Sequence, residues 1–341
     1  MEVVKLIGQL DEFKGAWRFL SNISPERLAQ MKKVATIESI GSSTRIEGAS
    51  LSNQQVEALL TGLKTESFRS RDEEEVAGYA EAMDAIFKNW QNIPLTENHI
   101  KQLHGTLLKH SQKDDRHRGR YKTVSNHVEA FDQNGQSMGI VFKTASPFDT
   151  PFRMTELVDW TGEALIQQNL HPLFIVAAFK VVFLAIHPFQ DSNGRLSRIL
   201  TTLLLLKTGY SYVPYSSLES VIEDNKEKYY LALRRTQGSL ENDVPDWESW
   251  TLFFLQAMQT QKVKLEGRLD RERILQKELP ALSIQIMELI RETGSIQSSE
   301  IEKLTKESRS TIRLRLNELV AEGHLTRHGQ SRATWYTLSK K

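Results

Sequence analysis

The chain has 341 residues, more than a typical domain of roughly 100 to 200 and enough to bury more than one core. Its 44 Lys and Arg against 43 Asp and Glu leave a net charge of +1, which excludes a general polyelectrolyte and makes any nucleic-acid contact a local one. With no Cys, disulfides, thiol nucleophiles and zinc sites built on sulfur are excluded too.

The opening Met1-Glu2-Val3-Val4-Lys5 leads into mixed polar sequence, and the apolar stretches are interrupted by Lys180, His187 or Lys207. No leader and no membrane span are therefore expected, and a cytoplasmic location follows as the expectation. The first hundred residues predict helices over Pro25 to Ser39, Ser52 to Leu63 and Glu73 to Trp90, each with apolar residues three and four apart. Ser52 with Gln55 three residues on is an N-terminal cap signal. Thr96 to His110 continues the series, with Glu97 in its first turn. His104 and His110 lack a carboxylate at ligand spacing, and the Arg116, Arg118, Arg120 and Lys122 run is expected to be surface charge, with a face toward phosphates as the alternative.

Between Tyr121 and Asp149 the pattern changes. Val128 to Phe131 and Gly139 to Thr144 are β-prone runs around Asn134-Gly135, which predicts a hairpin. Leu173 to Ile186 is apolar apart from Lys180 and begins after Pro172, so it predicts a buried helix. Leu196 to Leu206 predicts a second. Trp247 to Leu279 is a long helix stopped at Pro280, charged from Gln259 to Lys277 as a connector would be. Three further helices are expected over Ser283 to Thr293, Ser298 to Lys306 and Ser308 to Glu322. A hairpin turning at Gly329 follows, in the order of a winged helix-turn-helix. The expected fold is thus mainly α, with a β-hairpin over a helical core. Its parts are an N-terminal helical region over 1–95, a core over 96–258, a connector over 259–281 and a winged helix domain over 282–341.

The richest chemistry lies in the loop between the two buried helices, His187-Pro188-Phe189-Gln190-Asp191-Ser192-Asn193-Gly194-Arg195-Leu196-Ser197-Arg198. Pro188 ends the first helix and Gly194 eases the turn into the second. The first amides of that second helix lack intrahelical partners, so Ser192, Asn193, Gly194 and Arg195 can form an anion-accepting nest. Arg195 and Arg198 are three apart and can direct two guanidinium forks at phosphate oxygens. Asp191 suits Mg2+, which needs one or two carboxylates, and His187 can take a proton near neutral pH. Base, metal ligand, nest and cationic pair together point to phosphoryl or nucleotidyl transfer.

The segment resembles the signature of the Fic family, H-x-F-x-[D/E]-G-N-G-R-x-x-R, with every fixed position present except the first Gly, replaced by Ser192. The resemblance implies that His187 deprotonates a target hydroxyl, which then attacks the α-phosphate of ATP and becomes AMP-modified. It also implies Asp191 as Mg2+ ligand and Arg195 and Arg198 as the grip on the outer phosphates. Ser43-Thr44-Arg45-Ile46-Glu47-Gly48 is similar to the inhibitory pattern [S/T]-x-x-x-E-[G/N] of such proteins, about 140 positions upstream. Ser43, Glu47 and Gly48 are its fixed members, and Glu47 is implied to pair with Arg198 in place of the γ-phosphate. The hairpin resembles the family's flap, with Phe142, Lys143, Thr144 and Ala145 nearest the nucleotide. Tyr229, Tyr230 and Gln237 fall where relatives have adenine-facing residues.

The function expected is a protein adenylyltransferase using ATP and Mg2+ on a target protein or on itself, restrained by Glu47. Two alternatives stand beside it: a DNA-binding regulator with a nucleotide-sensing core, and an enzyme that removes AMP with the help of Glu47. From 282 to 341 ten Lys and Arg face seven Asp and Glu, so +3, a mild bias. The expected outward face of the third helix carries Arg309, Arg313 and Arg315. DNA contact, protein docking and a homodimer are all compatible with it.

Overall fold

A computed structural model describes residues 1–17, 24–62, 68–131, 137–278, 280–329 and 334–339. The chain divides into two compact units, Met1–Leu265 and Glu266–Lys341.

In the first unit α1 is Glu2–Trp17, burying Leu6, Leu10 and Phe13 at helical spacing. Helix α2 is Pro25–Ile46, with Pro in its first turn and Ser24 accepting from the Arg27 amide. It runs seven residues beyond the Ser39 expected from sequence. Gly41-Ser42-Ser43-Thr44 is a weak helix former, but Ser42, Ser43 and Thr44 are buried, and the Thr44 hydroxyl donates back to the Ile40 and Gly41 carbonyls. Tertiary packing against a later helix overrides propensity here. Helix α3, Asn53–Thr61, opens with the capping box of Ser52 and Gln55. Helix α4, Arg71–Asn89, is capped by Ser70 and has Asp72, Glu73 and Glu74 in its first turn. Helix α5 is Glu97–Leu107, capped by Thr96.

Strands β1, Val128–Phe131, and β2, Ser137–Phe142, pair antiparallel with two register irregularities. The Asn134-Gly135 turn lies outside the described residues. Helices α6, Thr150–Gln167, and α7, Pro172–Ile186, pack together, and α7 packs on α8, Asn193–Lys207. Helices α9, Leu218–Asp224, and α10, Lys226–Ser239, follow, and α9 is the partner against which α2 lies. Helix α11, Trp247–Glu278, leaves the first unit and crosses the boundary at Leu265.

The second unit continues with α12 (Ala281–Thr293), β3 (Ile296–Gln297), α13 (Ser298–Thr305), α14 (Arg309–Ala321), β4 (Leu325–His328) and β5 (Trp335–Leu338). Its antiparallel sheet has the order β3-β5-β4. One core of Ile286, Ile290, Ile296, Ile301, Ile312, Leu316, Leu319, Leu325 and Tyr336 holds it together. The fold is mainly α, as its sequence predicts. The hairpin residues 330–333 lie outside the described residues.

Candidate functional site

Helix α7 stops at Ile186 because the next residues cannot continue it. His187 takes a left-handed backbone at φ 53°, its amide closing the helix on the Phe183 carbonyl at 2.9 Å, and Pro188 follows. The loop is then pinned from inside. Phe189 is fully buried, stacked on His104 at 3.9 Å and tilted against Tyr121 at 5.5 Å. Its amide donates to Asn193 Oδ1 at 2.9 Å, and its carbonyl accepts from Asn193 Nδ2 and Asn126 Nδ2, each at 2.6 Å. The Asn193 side chain thus braces the loop from within, and only its backbone is left to serve an anion nest.

The His187 ring keeps one nitrogen for chemistry. Nδ1 lies 3.3 Å from the Leu184 carbonyl, which can only accept, so Nδ1 carries the proton and Nε2 the lone pair. Burial of the ring pushes its pKa down to about 4, and the nearby Lys122 cation acts in the same sense. At neutral pH it is an unprotonated acceptor. Asp191 is different: burial opposes its charge, but Arg195, the Ser192 amide and Arg71 together hold its carboxyl below the ordinary range. The Ser192 amide donates to Asp191 Oδ1, and Arg71 Nη2 reaches Asp191 Oδ2 at 2.7 Å. A single ionised carboxylate, about one third exposed at the mouth of a helix N-terminus, is a donor set that fits Mg2+ alongside phosphate oxygens.

Ser192 sits at φ 65°, and its hydroxyl accepts from Arg195 Nη2 at 2.8 Å. Arg195 also meets Glu75 at 2.7 Å. Arg198 is almost wholly buried. Its Nε donates to Ser43 Oγ at 2.7 Å, and its Nη2 to the Ser43 carbonyl at 2.9 Å and Glu47 Oε1 at 2.7 Å. Burial works against its charge, but the Glu47 carboxylate outweighs it and keeps the guanidinium protonated. Nη1 of Arg198 and Nε of Arg195 are buried without a hydrogen-bond partner among the described residues.

Glu47 stands at the first residue past α2, where Gly48 at φ 106° turns the chain away. Its carboxylate lies so close over Gly194 that a side chain there would collide with it. A carboxylate thus covers the N-terminus of α8, the place that helix dipole and free amides prepare for an anion.

The flap meets the loop through residues that spacing did not single out. Lys122, expected at the surface, is buried, and its Nζ donates to Asn126 Oδ1, Thr144 Oγ1 and the Ile186 carbonyl at 2.8, 3.0 and 3.0 Å. Burial lowers its pKa to about 8. Thr144 is therefore tied to the loop, while Lys143 is exposed and Ala145 half-buried. Phe142, Lys143, Thr144 and Ala145 border a cleft of about 1210 Å3 that Gln237 of α10 also lines. Tyr229 does not reach it. It is buried 5.8 Å from Trp250 in the core, with Tyr230 half-buried 5.1 Å beside it. His104 is engaged by Phe189, the Gly119 amide and the Asp191 carbonyl, and burial lowers its pKa to about 4. His110 pairs with Glu81 at 2.6 Å.

The loop between the two buried helices, tied to the hairpin end through Lys122 and Thr144, falls within a stretch that is similar to known proteins. The Fic/DOC family model matches residues 94–205. Over that segment the chain is similar to Fic-domain proteins. The proteins named protein adenylyltransferase Fic from Drosophila willistoni and Drosophila melanogaster are each 28% identical over 209 residues, 61% of this chain. The match spans 38% of the length of those relatives. Among solved structures, a Fic family protein from Desulfovibrio desulfuricans G20 aligns with a TM-score of 0.65 at 23% identity, covering 100% of this chain and 96% of that one. A Fic domain containing signaling protein from Bacteroides thetaiotaomicron gives 0.59 at 25% identity, over 78% of this chain and 94% of its own.

Proposed function

We propose that this protein is a protein adenylyltransferase that moves AMP from ATP to a hydroxyl of a protein side chain, restrained by Glu47. The observation that carries the reading is the convergence of an unprotonated His187, Asp191, the N-terminus of α8 beneath Glu47, and Arg198 on one loop. The relatives' name supports the same chemistry. His187 Nε2 takes the proton of the attacking hydroxyl, whose oxygen bonds to the α-phosphorus while the bond to pyrophosphate breaks. The amides at Gly194 and Arg195 and the two guanidiniums receive the phosphate charge. Asp191 would hold a Mg2+ ion, which would supply charge neutralisation for the phosphates. The cleft beside Gln237 suits the adenine, and the free edge of β2 suits the backbone of the modified segment. Glu47 on Arg198 takes the place of the γ-phosphate, so it misdirects or excludes ATP.

The test is incubation with ATP labelled at the α-phosphate, Mg2+ and candidate proteins, this chain included. Label is expected on protein and is expected to fall by about 10²-fold or more with His187→Ala. Undiminished labelling in that variant contradicts the assignment of the base.

For the second unit, one observation favours DNA as partner. Arg309, Arg313 and Asn317 are all exposed and four residues apart along α14, and neither Arg has an ion-pair partner among the described residues. Such a stripe on the second helix of a helix-turn-helix suits base edges and phosphates of a major groove. Anisotropy with a labelled duplex at 150 mM salt, comparing the protein with its Arg309→Ala/Arg313→Ala variant, decides it; equal binding sinks this reading.

A further inference from the structure

Arg71 and Glu75, in the first five residues of α4, contact an acidic and a basic member of the catalytic loop, and no feature of the loop sequence requires it. Arg71 Nε lies 2.9 Å from Glu75 Oε1, and Arg71 Nη2 lies 2.7 Å from Asp191 Oδ2. Glu75 Oε2 in turn lies 2.7 Å from Arg195 Nη1, and Arg195 Nη2 lies 3.8 Å from Asp191 Oδ1. The four side chains close a ring of alternating charge with zero net charge. Arg195 and Glu75 form its sheltered half, 4% and 13% exposed, while Arg71 and Asp191 are 47% and 37% exposed.

Both oxygens of Asp191 already have partners. Oδ1 accepts the Ser192 amide, which helps fix the turn, so Oδ2 is the oxygen left to face an incoming cation. That oxygen holds the Arg71 guanidinium. From this geometry, and resting on the reading of Asp191 as a divalent-metal ligand, we infer that Arg71 is a resident counter-cation that a divalent ion must displace from Asp191. Arg71 is a positioning residue in this account, acting through Asp191. Because its side chain is half exposed and attached to the first residue of α4, it can turn to solvent without disturbing the helix, whereas Arg195 cannot leave its buried pairing with Glu75 as easily. Metal loading and release of Arg71 are then one event, and this restraint is separate from Glu47, which pairs with Arg198 and lies over Gly194 instead.

The competition has a definite size. A half-exposed ion pair shifts an equilibrium by a small factor, so removing the Arg71 charge is expected to tighten divalent-metal binding by about two- to fivefold at low salt. The gain is expected to shrink above 0.5 M salt, where exposed charges are screened. The probe is Mn2+ alone, titrated into the full chain and followed by the loss of the free-ion electron paramagnetic resonance signal. Arg71→Gln is expected to bind tighter than the unmodified protein, Arg71→Lys to stay close to it, and Arg71→Gln/Asp191→Asn to lose the gain. Equal or weaker binding by Arg71→Gln, or no Mn2+ retained by either protein, overturns the inference. A gain that survives Asp191→Asn overturns it as well. None of these outcomes depends on AMP transfer, so the labelling test of His187 stands or falls independently.

Discussion

Ser192 occupies a left-handed backbone position, φ 65°, where Gly has no steric cost and other residues lose roughly 1–2 kcal/mol. Its hydroxyl offsets part of that by accepting from Arg195. Ser192→Gly and Ser192→Ala both delete this hydrogen bond, so their difference isolates the backbone. The Gly variant is expected to be the more stable by about 1 kcal/mol in chemical denaturation. Equal stabilities would show that the turn carries no strain. At this scale the site was unevenly legible. His187, Asp191, Arg195 and Arg198 lie within twelve residues, and their chemistry can be read together. Arg71, Glu75, Lys122 and Asn126 approach from distant segments, each alone an ordinary polar residue, and only the fold brings them to the loop. Tyr229 packs 5.8 Å from Trp250 and also lies against Arg198, a double placement that its position on a helix does not reveal.

Among the elements, α2 matters most, because its length decides where Glu47 stands. Arg45 holds its last turn, with Nε and Nη2 on Glu223 of α9 at 2.6 and 2.9 Å and Nη1 on the Leu51 carbonyl at 2.9 Å. Arg45→Ala removes this anchorage while leaving Glu47 in place. Labelling activity is expected to rise, by less than Glu47 removal gives, with a loss of about 1–2 kcal/mol in stability. A fall in activity at preserved stability would argue that α2 supports the reaction instead of restraining it. The apolar runs of α7 and α8 and the N-cap Ser52 were visible in the sequence because burial and capping leave local patterns. Helices α1, α6, α9 and α10 carried no such contrast: α6 exposes Phe152, Trp160 and Ile166 on its outer side, which blurs its periodicity.

For the molecule as a whole, two imidazoles, the buried His104 and the half-buried His187, set an acid limit. His104 and His187 each have a folded pKa of about 4 against an ordinary 6.5, so the unfolded chain binds more protons between those values. Stability is therefore complete above about pH 6.5 and lost as pH falls through 4. The thermal midpoint is expected to drop steadily across that window and to drop less in His104→Gln, if that variant matches the parent at pH 7. The same pKa values leave His187 ready as an acceptor throughout pH 6 to 8.

The central claim is that the Glu47 carboxylate and the terminal phosphate of ATP compete for Arg198. Its most direct measurement is the yield of AMP-labelled protein from α-labelled ATP and Mg2+, comparing the unmodified chain with Glu47→Gly at equal stability. The account predicts at least about a tenfold rise in label with tighter ATP binding, the cost of losing one phosphate contact to a guanidinium being about 1.5–3 kcal/mol. Unchanged or reduced labelling in Glu47→Gly would contradict it.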